Sequence, residues 1–279
     1  MTSFRSEPLR FASLAQGEPL PGEIVQAITE AADRLGGFAG RIEYFSTIGS
    51  TNDIASARAA AGARDGSVFI ADAQTAGRGR RGRAWFSPPA AGLYVSTVLR
   101  PARSRDPDRA TLLTTLAAGV ALVEGVKRAT GLEPSLKWPN DLYVGPRKLA
   151  GILAEGTGDA VVLGYGINVG AASFPPDLAD VVTSLETELG RAVDRPCVFV
   201  ETLCALARRY DDLLEARFDA ILDPWRALAP GAHGRRVSWS TAAGEARGVT
   251  AGIDDRGALL VRVGDRIERI VGGELIWDK

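Results

Sequence analysis

The sequence predicts a mixed α/β domain followed by a compact all-β module, on three observations. Strand-like runs rich in β-branched and aromatic residues alternate with helix-length segments up to about residue 230. From Arg235 onward the helical period gives way to short alternating segments punctuated by Ala243-Gly244, Asp255-Arg256-Gly257 and Gly264-Asp265. At 279 residues, 46% hydrophobic and 24% charged, the chain has the length and balance of one large or two smaller globular domains. The expected division is a domain over 1–232, of which 1–40 form a lead-in and first helix, and a β module over 233–279, read as a small antiparallel barrel.

Residues 1–20 read as a polar lead-in without a secretory apolar run. From Pro21, the spacing of Ile24, Ile28, Ala31 and Leu35 predicts a helix stopped by Gly36-Gly37. Residues 41–45 are short and strand-like, and Ser50-Thr51-Asn52 carries the side chains that cap a helix running to about Ala61. Residues 67–73 and 93–99 read as strands, and Pro107 to about Ala129 as a long amphipathic helix. Three strand-like runs follow, at 135–138, 148–155 and 160–169; the second is apolar beyond its lysine, as a strand buried in a sheet would be. Helical spacing returns from about Val198 to Phe218, and a proline then precedes Trp225.

Bulk properties exclude several function classes. A net charge of −1 argues against a general polyanion binder. One histidine and two cysteines, Cys197 and Cys204, make a transition-metal site or a disulfide framework improbable and fit a reducing, cytoplasmic setting. No uninterrupted apolar run reaches the ~20 residues that span a bilayer.

Against this balanced background stands Thr75 to Pro89, TAGRGRRGRAWFSPP, with four arginines in six residues. Its G-x-G-x-x-G is not a dinucleotide turn, because Trp85-Phe86-Ser87-Pro88-Pro89 cannot open the helix that must follow the glycines. A nucleic-acid arm and a solvated charged loop are further readings. The sharpest is a loop that gathers around a phosphorylated small molecule, because arginines this dense repel one another until an anion joins them.

Three more motifs accompany it: Gly49-Ser50-Thr51-Asn52, Lys137-Trp138-Pro139-Asn140-Asp141 followed by Lys148-Leu149-Ala150-Gly151-Ile152-Leu153, and Gly164-Tyr165-Gly166-Ile167-Asn168-Val169. In this order, from about Ser46 to the C-terminus, the set closely resembles the biotin–protein ligases. The resemblance implies a class II synthetase-like catalytic domain with a mixed sheet and an SH3-like C-terminal barrel. It implies that biotin and ATP, with Mg²⁺, give biotinyl-5′-AMP and pyrophosphate, and that biotin then passes to one lysine of a biotin carboxyl carrier domain.

Matched motif to motif, the resemblance implies Lys148 and Arg80 as catalytic groups. It implies biotin contacts from Ser50, Thr51, Asn52, Gln74, Gly77, Arg78, Gly79, Arg80, Lys148 and Gly151. Adenylate contacts fall on Arg78, Arg80, Arg81, Arg83, Trp85, Asn140, Lys148 and Asn168, and Asn140 or Asp141 stands where Mg²⁺ would be held. Physically, a carboxylate and a phosphate must be brought together, and preorganised cations offset their repulsion. Trp138 reads as packing. A homodimer is possible, as in some relatives. With 49 residues ahead of Ser50, the family's winged helix-turn-helix is not expected, nor is DNA binding. The arginine that some relatives carry near the end is absent, and Lys279 is the available substitute. The alternatives are a lipoate or octanoate ligase of the same fold, a non-catalytic biotin binder, or a nucleic-acid binder.

Overall fold

Apolar and β-branched runs supply the strands of a mixed sheet. In chain order they are β1 (Ile42–Phe45), β2 (Ser67–Ala71), β3 (Gly92–Leu99), β4 (Ser135–Lys137), β5 (Asp141–Val144), β6 (Arg147–Thr157) and β7 (Ala160–Asn168). They lie side by side as β1-β2-β3-β7-β6-β5-β4, with β1 and β2 parallel and the other neighbours antiparallel. The structure is a computed structural model describing residues 15–171, 174–176, 178–241, 244–273 and 275–278.

The helices are α1 (Gly22–Glu30), α2 (Ala32–Leu35), α3 (Thr51–Ala60), α4 (Pro107–Thr130), α5 (Leu185–Leu189), α6 (Arg195–Leu214) and α7 (Asp219–Leu228). Helix α4 begins where the Asp106 side chain accepts from the Arg109 N–H and ends at Gly131 in the left-handed region, φ 84°. It was expected to be amphipathic, but the structure buries it on most sides. Gly125 explains part of this: a Cβ there would sit 2.4 Å from the Cα of Thr202, so its absence lets α6 press against α4. By length and composition α4 could cross a membrane, yet 72% of its apolar window is buried inside the protein. Both cysteines ride on α6, where burial pushes their thiol pKa values up.

On the opposite face of the sheet, α3 covers Phe45, Phe69 and Val98 through Ile54 and Ala55. The part of that face that α3 leaves open, over β3, β7 and β6, is where the predicted site residues gather.

The C-terminal strands are β8 (His233–Thr241), β9 (Gly244–Ile253), β10 (Leu259–Val263), β11 (Arg266–Ile270) and β12 (Ile276–Trp277). They form a five-stranded antiparallel sheet ordered β11-β10-β9-β8-β12. The hydrophobic core runs on from the mixed sheet into this module through Val237, Leu259 and Val261. Trp138, 4% exposed, packs there and donates its indole N–H to Gly257 O at 3.1 Å.

Several expectations needed correction. The first helix breaks at Ala31. Strand β5 was missed because four residues inside a turn-rich stretch, only Leu142 of them buried, carry little periodic signal. Helix α5 is a single short turn, and α7 was missed because it contains Pro224. Strand β6 is not buried on both faces: its residues alternate between core and cleft. Lys279 and residues 1–14 lie outside the described residues.

Candidate active site

The register of three strands makes the floor. Gly164 lies opposite Ser96 on β3 and Leu153 on β6; Gly166 lies opposite Tyr94 and Gly151. Residues two apart share a face, so Gly164, Gly166 and Asn168 all point into the cleft. The two glycines are there for space. A Cβ on Gly164 would stand 1.9 Å from Asn52 Oδ1, and one on Gly166 would stand 2.3 Å from Trp85 Nε1. Gly151 continues this surface, its absent Cβ 3.1 Å from the Trp85 ring and 3.3 Å from Lys148 Nζ. The Trp85 indole therefore rests on a bed of glycine backbone, with its N–H buried and without a partner among the described residues.

The arginine stretch is a hairpin. Gln74 N–H donates to Ser87 O, Trp85 N–H to Gly77 O, and Gly79 N–H to Arg83 O, with a short 3₁₀ turn, Arg80–Gly82, at its tip. At Gly77 a Cβ would lie 2.5 Å from Trp85 O, so this glycine lets the hairpin's two arms meet. It is the one predicted site residue that does not line the cavity. Mutual repulsion of the arginines is partly relieved by the chain itself. Arg78 makes a bidentate contact with Glu155 at 2.6 and 2.9 Å and reaches Asp53 at 2.9 Å. Arg80 donates to Asn140 Oδ1 at 3.0 Å.

The end of the cleft beside α3 is neutral and heavily hydrogen-bonded. Thr51 N–H donates to Gln74 Oε1 at 2.8 Å, and Gln74 Nε2 donates to Ser87 Oγ at 2.9 Å. Ser96 Oγ donates to Asn52 Oδ1 at 2.6 Å, and Asn52 Nδ2 donates to Glu155 Oε2 at 2.9 Å. Ser50 occupies the cap position of α3 but makes no side-chain cap bond. Ser50 lines the cavity.

The other end is cationic. Lys148 Nζ lies 2.7 Å from Asp141 Oδ1 and 5.3 Å from the centre of the Trp85 ring. The guanidinium of Arg80 is half-buried, and burial pushes its pKa down while the Asp141 carboxylate pulls it up. A buried cation set near a single carboxylate is a site that favours an added anion. As for magnesium, Asn140 is engaged at both ends, its Nδ2 donating to Ile152 O at 2.8 Å, and Asp141 faces Lys148. No cluster of three or more metal-ligating side chains occurs among the described residues. This donor set fits a metal that arrives on phosphate oxygens and keeps its waters better than a resident one.

Apart from Gly77, the predicted site residues line one cavity of about 440 Å³. Sequence reasoning missed Ser96, Glu155, Gly164, Gly166 and Lys137. It also missed the segment around Leu178 to Thr183, which closes the cavity beside Lys148: Lys148 N–H donates to Val181 O, Thr183 N–H to Lys148 O, and Asn168 Nδ2 to Thr183 O. For Gly164 and Gly166 a signal was present in the glycine spacing of GYGINV. For Ser96 there was none.

A cleft with neutral hydrogen-bonding groups at one end, cations at the other and an aromatic plane beside them suits a small neutral ring joined to an anion. Comparison with known proteins agrees. The biotin/lipoate A/B protein ligase family matches residues 44–171, and the biotin protein ligase C-terminal domain matches residues 232–276. A biotin–[acetyl-CoA-carboxylase] ligase of Mycobacterium tuberculosis is 37% identical over 242 residues, covering 85% of this chain and 88% of that protein. The bifunctional ligase/repressor BirA of Bacillus spizizenii is 36% identical over 239 residues, covering 83% of this chain and 72% of that protein. The biotin protein ligase of Aquifex aeolicus in complex with biotin and ATP superposes with a TM-score of 0.74 at 27% identity, covering 86% of this chain and 99% of that one. The first family description also takes in lipoate enzymes, but the C-terminal match and the curated relatives are on the biotin side. With this cleft on this pair of sheets, the chain belongs to the biotin protein ligase family.

Proposed function

We propose that this protein activates biotin with MgATP as biotinyl-5′-AMP and transfers the biotinyl group to a lysine of a carboxyl carrier domain. The observation that carries the reading is the meeting of Lys148, Arg80 and Asp141 beside a neutral, hydrogen-bonded pocket.

The ureido ring of biotin sits at the end formed by Ser50, Thr51 and Gln74, where donors and acceptors carry no charge. Asn52 has its amide bonded at both ends, so it orients Glu155 and, through it, Arg78. Biotin's carboxylate then points toward Lys148. An oxygen of that carboxylate attacks the α-phosphorus of ATP; a new P–O bond forms and the bond to pyrophosphate breaks. Two unit charges 4 Å apart interact by about 4 kcal/mol at an effective dielectric of 20, so the two anions meet only where cations offset that repulsion. Lys148 supplies a compact ammonium and Arg80 a planar guanidinium. The Trp85 plane takes the purine. In the second half-reaction the neutral amine of the acceptor lysine attacks the acyl carbon, AMP leaves, and a proton is released.

The test is incubation with biotin, MgATP and a biotin carboxyl carrier domain. Pyrophosphate release dependent on biotin, and avidin-reactive carrier dependent on its target lysine, are expected. Pyrophosphate release without biotin, or none at all, contradicts the proposal.

A further inference from the structure

Lys137 is a cation of the cleft that the steps above do not use. Lys137 ends β4 opposite Asp141 on β5. Its ammonium lies 4.8 Å from the centre of the Tyr143 ring and 5.4 Å from that of Trp277. Trp277 comes from the C-terminal sheet, where it pairs with Val237 and packs so close to Gly231 that a Cβ there would lie 3.2 Å from its ring. Lys137, Tyr143 and Trp277 all line the main cavity.

Lys137 has no carboxylate ion pair among the described residues, because Asp141, its neighbour across the strands, is taken by Lys148. Burial pushes its pKa down, Asp141 pulls it up and Lys148 pushes it down again. Aromatic faces offset part of the cost of holding an ammonium in this place, but they do not neutralise it. The biotin end of the cleft needs no further charge. The largest uncompensated charge in the reaction is on the β- and γ-phosphates, which leave together as pyrophosphate. Lys148 and Lys137 flank Asp141, and such a row of ammonium, carboxylate and ammonium suits a chain of phosphates with the α-phosphate at Lys148.

Resting on the ligase reading, we propose that Lys137 holds the β- and γ-phosphates of ATP and that Trp277 is a positioning residue that, with Tyr143, keeps the ammonium turned into the cleft. The C-terminal sheet thereby acts on nucleotide use through an aromatic face.

The test is the kinetics of biotin-dependent pyrophosphate release, paired with binding of biotinol adenylate, a stable analogue without the outer phosphates. Lys137→Ala raises the KM for ATP about tenfold, the size of one lost charged contact. The KM for biotin and the affinity for the analogue stay at wild-type values, and Lys137→Arg recovers most of the loss. Trp277→Ala shifts the KM for ATP in the same direction by a smaller factor, about threefold. Trp277→Phe restores it, and adding Trp277→Ala to Lys137→Ala changes nothing further. An unchanged KM for ATP in Lys137→Ala overturns the proposal, as does an equal weakening of ATP and the analogue. If Trp277→Ala melts early, Trp277→Phe and the Lys137 variants still decide. Wild-type protein that forms no adenylate would instead remove the ligase reading beneath it.

Discussion

At the end proposed to face biotin, the cleft is assembled from uncharged hydrogen-bonding groups on α3, β3 and the base of the arginine hairpin; at the end proposed to face phosphate, its cations stand on a hairpin tip and at strand ends. Thr51, Asn52, Gln74 and Ser96 hold one another through hydrogen bonds of 2.6–2.9 Å to Gln74, Asn52 and Ser87, on elements packed into the core. Lys148, Lys137 and Arg80 sit beside one carboxylate, Asp141, with aromatic rings at their sides. The difference follows from the ligand chemistry. A neutral ring is recognised by fixed direction, which needs rigidity, whereas phosphates are recognised by charge, which tolerates longer reach.

The comparison can be broken at either end. The largest expected effect is at the phosphate end: Lys148→Ala lowers the single-turnover rate of adenylate formation by roughly 10²–10³-fold, as for removal of one transition-state stabiliser. The fold should survive, judged by thermal melting, because the Lys148 side chain is partly exposed.

Two substitutions two residues apart on β7 should then separate the ends. Gly164→Ala drives a methyl into the Asn52 amide and is expected to raise the KM for biotin about tenfold or more, with a stability loss of about 1–3 kcal/mol by denaturant titration. Gly166→Ala displaces the Trp85 indole and is expected to raise the KM for ATP while biotin binding, measured by calorimetry, changes little. If both move the two constants alike, the cleft is one unit and the division drawn here is wrong.

Arg80→Gly removes the contact to Asn140 and should loosen retention of the intermediate, so that bystander lysines become labelled in an avidin blot of mixed protein. The smallest effect is expected from Ser96→Ala, which removes one hydroxyl from the neutral network and should weaken biotin binding by about 1 kcal/mol.

The sequence showed these two ends unequally. The end proposed to take phosphates draws on compact motifs: the arginine hairpin, KWPND and KLAGIL each place cavity-lining residues within a few positions of one another. Gly77, assigned to a ligand contact, stands where the hairpin's own arms meet. Of the end beside α3, the sequence pointed only to GSTN and Gln74. Ser96 and Glu155 join it through strand register, which places Ser96 opposite Gly164 and Glu155 along the same face of β6, and one chain read linearly does not display that pairing. Lys137 and Trp277 meet across two sheets, beyond any local pattern. The expected strands of the mixed sheet and the two long helices were read within a few residues of their ends. The long core helix was misjudged as amphipathic because alanines and glycines conceal how closely its neighbours approach.

The central claim is that the cleft joins biotin's carboxylate to the α-phosphorus before any protein is modified. Biotin labelled with ¹⁸O in both carboxylate oxygens, given with MgATP and a carrier domain, tests it directly by mass spectrometry of the products. One label should appear in the phosphate of AMP and the other in the new amide carbonyl. AMP free of ¹⁸O, or ADP and phosphate in place of AMP and pyrophosphate, would contradict it.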